Sequence, residues 1–96
     1  MKKMFKLTHP KIKVARLADS ARSDARKYIK RERQKALPEG SDFWDFDCKF
    51  GSTAETAKVI HVAEISKYIA EAEAQNMESF YLEIMAKPAR RTTKPK

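Results

Sequence analysis

The side chains best suited to chemistry in this 96-residue chain are cations at helical spacing. Arg22, Arg26, Lys30 and Arg33 follow one another at intervals of three or four positions. That spacing stacks them about one turn apart along one face of an α-helix, with Arg16, Lys27 and Arg31 beside them. A row of this kind can meet successive phosphates of a nucleic-acid backbone, holding the strand without reading its bases. Arg90 and Arg91, near the other end of the chain, supply two more contacts of the same type. The plainer account of the same residues is a solvated helix face that keeps a small protein soluble.

The other reactive types are sparse. Asp42, Asp45 and Asp47, with His61 or Glu64, are the candidates for a metal site. The sequence places only Asp45 and Asp47 on one face, short of the three or more ligands a usable site needs, so no metal and no cofactor is expected. Cys48 alternates with aromatic residues and reads as a small buried hydrophobe rather than a nucleophile. His61 reads as a strand residue, and His9 as turn geometry before Pro10. With two glycines in the chain, a glycine-rich phosphate loop is excluded. No nucleophile stands beside a base in any recognisable pattern, and no enzyme activity is expected.

The elements that must position these groups follow from periodicity. Residues 4–8 read as a first strand stopped by Pro10. Residues 14–36 carry apolar side chains (Val14, Leu17, Ala18, Ala21, Ala25, Tyr28, Ile29, Ala36) on one helical face, opposite the cations. The Leu37-Pro38-Glu39-Gly40 run ends that helix. Residues 43–50 alternate with period two. Trp44, Phe46, Cys48 and Phe50 fall on one side, with Asp45, Asp47 and Lys49 on the other. Gly51-Ser52-Thr53 is a turn.

Residues 57–75 admit two readings. The β-branched run Val59-Ile60-His61-Val62 favours a strand, followed by a helix through Ile65, Tyr68, Ile69 and Ala72. The competing reading is one longer helix from a Ser52/Glu55 capping box. Asn76 suits a left-handed cap. Residues 80–85 alternate as a last strand, stopped by Pro88, and residues 87–96 read as a disordered basic tail. The expected architecture is α+β: a ferredoxin-like split βαβ order, β-α-β-β-α-β, forming an antiparallel sheet with two helices on one face. The alternative is β-α-β-α-β with the longer second helix. One domain over residues 1–86 accommodates all of it.

Charge sharpens the reading. The chain has 21 Lys+Arg, 13 Asp+Glu and a net charge of +8. Residues 1–36 hold 13 bases against 3 acids, residues 37–86 hold 3 against 10, and residues 87–96 hold 5 against none. A polyanion is therefore expected at the first helix and the tail. The open sheet face, with Asp45, Asp47 and Glu83, should repel it. The lysine/arginine-glycine-aromatic string of RNA recognition motifs is absent. A hydrophobic share of 42% excludes disorder throughout, and a single cysteine excludes an intrachain disulfide. No run approaches the ~18 apolar residues of a membrane span, and no apolar stretch follows Met1–Lys6 as in a secretory signal. Cytoplasmic location and no membrane partner are expected.

Residues 7–11, 27–40, 42–51 and 60–65 carry a resemblance, most distinctively in the string DFWDFDCKFG. Nearly the whole chain resembles a family of small bacterial proteins of unknown function. The resemblance implies one compact domain and transfers no catalytic or binding residue. The functional expectation therefore rests on charge: a small binding protein that contacts RNA or DNA backbone through Arg22, Arg26, Lys27, Lys30, Arg31, Arg33, Arg90 and Arg91. Binding to an acidic protein surface, or a structural role anchored by Trp44 and Tyr81, is the alternative.

Overall fold

The computed structural model describes residues 1–90. Its elements are β1 (Lys2–Lys6), α1 (Val14–Arg33), β2 (Phe43–Gly51), β3 (Lys58–Ile60), α2 (Ile65–Ala74) and β4 (Ser79–Ala89), with a 3-10 turn at Val62–Glu64 leading into α2. Four strands form one antiparallel sheet in the order β1-β4-β2-β3. The α+β class and the β-α-β-β-α-β succession hold.

The spatial order differs from a ferredoxin-like sheet, which centres the first and third strands; here β4 and β2 are central. Composition explains the placement. β1 is short, carries Lys2, Lys3 and Lys6, and buries only Phe5, which suits an edge. β4 buries Phe80, Tyr81, Leu82 and Ile84 and needs neighbours on both sides.

Cross-strand register places Phe46, Cys48, Phe50, Phe80, Leu82 and Ile84 on one face. α1 and α2 pack over that face. α1 presents Ala18, Ala21 and Ala25, and α2 presents Ile65, Ile69 and Ala72. The small alanines let the α1 backbone lie close to the sheet. Stacked rings bind the strands together, Phe5 on Phe80 at 5.3 Å and Phe80 on Phe50 at 5.0 Å between centroids.

Boundaries moved where local hydrogen bonds outweighed pattern. β1 covers Lys2–Lys6 rather than residues 4–8, and Leu7 then drops into the core while its N–H donates to the Glu78 carbonyl. α1 ends at Arg33, three residues early, as the Gln34 and Lys35 amides tighten the last turn onto the Arg31 and Glu32 carbonyls. The indole N–H of Trp44 then takes the Lys35 carbonyl at 2.9 Å.

The strand-then-helix reading of residues 57–75 prevails over the single long helix, but the strand stops at Ile60. His61 is not a strand residue. Its Nδ1 accepts the Ala63 N–H while Glu64 accepts the His61 N–H, a reciprocal cap that turns the chain into α2. Asn76 sits at φ 56°, with the Met77 and Asn76 amides donating to Ala72 and Glu73 carbonyls, a Schellman stop. Gly51 has no room for a side chain, since a Cβ there would stand 2.6 Å from the Ala57 Cα.

Pro88 does not end the last strand; β4 runs through it to Ala89, so residues 87–89 are not tail. The Ile84 N–H donates to the Met1 carbonyl, so even-numbered amides of β4 face the β1 side. Among the described residues no strand pairs with that side of β4 at Pro88, and a proline there forfeits no ladder bond.

Candidate nucleic-acid interface

α1 brings the predicted cations together along its length, but it does not leave them all free. The Arg22 guanidinium is spent on structure: Nε donates to Ser66 Oγ at 3.1 Å across to α2, and the same group pairs with Asp19 at 3.0 Å. Only a fifth of its side chain is exposed. Arg33 reaches over the ring of the buried Phe46, 5.4 Å from the centroid. Arg90 donates from Nε to the Gly40 carbonyl at 2.9 Å, tying the end of β4 to the loop after α1. Arg91 lies outside the described residues, as does the rest of the predicted tail from residue 91 on.

Arg26, Lys27, Lys30 and Arg31 remain exposed on α1. Among the described residues, no ion pair or side-chain hydrogen bond engages them, nor Arg16. Every acid of α1 is committed elsewhere: Asp19 to Arg22, Asp24 to Lys3 at 3.6 Å, and Glu32 to Lys35 at 2.7 Å. Among the described residues the remaining cations of α1 therefore have no acidic partner. Part of this charge has a structural reason, because Lys30, Arg31 and Arg33 occupy the last turn, where cations complement the helix dipole.

The row divides into two. Lys27 and Arg31, with Arg16 (the outer crest), are exposed and do not line the cleft beside α1. Arg26, Lys30 and Arg33 flank a cleft of about 620 Å³ between α1 and the 3-10 turn at the start of α2. Its floor is Ala25, Ile29, Val62 and Ile65. Sequence reasoning missed this second wall. Ser66 and Arg22 meet across 44 positions of chain, and no local pattern announces such a contact.

The open sheet face is not the acidic surface the composition implied. Lys2 and Lys49 lie opposite Glu83 in register, and Lys87 pairs with Asp47 at 2.9 Å. That hydrogen bond and the Asp47 charge raise the Lys87 pKa. Tyr81 donates to Glu83 at 2.8 Å, and this bond, ahead of desolvation, raises the phenol pKa.

Asp45 accepts the Phe46 N–H at 2.8 Å, and His61 is occupied as a cap. Among the described residues no group of three or more His, Cys, Asp or Glu side chains is arranged to hold a metal ion. Burial pushes the Cys48 thiol up to about 11, with the Asp47 and Asp45 charges adding to it, and that is the opposite of an activated nucleophile. Tyr81 is buried, while Trp44 is half-buried with its indole N–H bonded to the Lys35 carbonyl.

These features define a small α+β protein with an antiparallel sheet, one helical face and a basic first helix. Residues 1–95 match a family of unknown function, DUF6172, and the chain belongs to that family. No curated protein and no solved structure matches it.

Proposed function

We propose that the protein binds the sugar-phosphate backbone of RNA or DNA along the exposed side of α1, without reading bases. The observation that carries this reading is the division of charge on α1: among the described residues each of its acids is paired, while Arg16, Arg26, Lys27, Lys30 and Arg31 are not. Exposed cations held at helical intervals with no internal partner are what a phosphate backbone takes up. In this reading the protein is a cytoplasmic bacterial binding module that works without a cofactor and catalyses nothing. No helix among the described residues is long and apolar enough to cross a membrane.

A salt titration with labelled single-stranded RNA and duplex DNA tests it. Four to six phosphate contacts should cost roughly 10²–10³ in affinity between 50 and 200 mM salt. The double variant Lys27→Glu, Arg31→Glu should abolish binding while leaving the fold intact by circular dichroism. Absence of binding at 20 mM salt, or full retention by the double variant, overturns the proposal.

A further inference from the structure

The geometry of the α1–α2 cleft points to a second binding site, distinct in chemistry from the outer crest: we propose that it is a docking groove for an acidic amphipathic helix of a partner protein. One wall offers Arg26, Lys30 and Arg33, and the floor offers Ile29, Val62 and Ile65. The spacing of the wall cations is that of a helix surface, so carboxylates at i, i+4 and i+7 of a second helix laid alongside can each face one. From Arg22 to Gln34 the groove follows α1 for about 18 Å, three turns of helix.

Charge complementarity selects an anionic occupant, and the floor selects between anions. Every side chain on the floor is aliphatic, with no aromatic platform on which a nucleobase could stack. Aliphatic side chains of an amphipathic helix fit that floor. The far wall is held in place by the His61–Glu64 cap and by the Arg22–Ser66 bond at one end, so the groove is formed before the partner arrives.

The test uses a fluorescein-labelled synthetic helical peptide of about 14 residues, with Glu and Leu on adjacent stripes at i, i+4 spacing, against the full chain. It should bind and shift the NMR methyl signals of Ile29, Val62 and Ile65. Ala63→Glu, an exposed change on the far wall, and Lys30→Glu should each weaken it at least tenfold, and Lys27→Glu with Arg31→Glu should leave it unchanged. Equal binding by a peptide with Gln in place of Leu overturns the proposal. So does displacement from the same methyls by a uridine oligonucleotide, a map onto the outer crest, or occupation of the groove by a second copy of the chain in sedimentation runs. Because Lys27→Glu with Arg31→Glu should abolish RNA and DNA binding yet spare the peptide, the two readings fail separately.

Discussion

At the level of single residues, types that look reactive are engaged in holding the fold. Arg22 heads the predicted phosphate row yet bridges α1 to Ser66, and His61 caps a turn. Cys48 shows the energetic consequence. Its thiol is 1% exposed, and burial raises its pKa to about 11 from 9.0. A folded-state pKa above the unfolded value means the native protein holds its proton longer. The associated stability is complete below about pH 9 and is lost as pH rises toward 11, on the order of 2–3 kcal/mol. Urea denaturation between pH 8 and 11 should show this decline in the wild type. The slope should be shallower in Cys48→Ala. Parallel slopes would exclude Cys48 as the source.

At the level of elements, strand edges account for residues that the sequence offers as ligands. Even-numbered amides of β2 face the β3 side, but β3 reaches only as far as Cys48. The Phe46 N–H stands beyond it, and the Asp45 carboxylate covers it. Asp45→Ala should expose that edge. The expected loss is about 1 kcal/mol of stability, with concentration-dependent self-association in sedimentation as open edges pair. A monomer with an unchanged denaturation midpoint would assign Asp45 no such role. Element types and order were readable because burial imposes periods of 2 and 3.6 on the apolar residues. Their ends were less so: Gln34, Ile60 and Pro88 were decided by which amide had a partner within reach.

At the level of the whole molecule, the charge asymmetry carries an electrostatic cost. Arg22, Arg26 and Lys30 are like charges at i, i+4 spacing along α1. Arg26→Glu turns both repulsions into attractions, with the glutamate on the favourable N-terminal side of Lys30. It should raise stability by about 0.4–1 kcal/mol while weakening nucleic-acid binding. A drop in the melting temperature, or unchanged affinity, would contradict that trade-off. By itself the sequence determined the α+β class, the apolar faces and the cationic helix face, because these depend on residue type and local spacing. Only the tertiary structure decided the β1-β4-β2-β3 order, the commitment of Arg22 and Arg90, the lysines that balance the sheet's acids, and the cleft beside Arg26 and Lys30. Each of these depends on which distant segments meet, and contacts such as Arg22 to Ser66 or Arg90 to Gly40 join residues 44 and 50 positions apart.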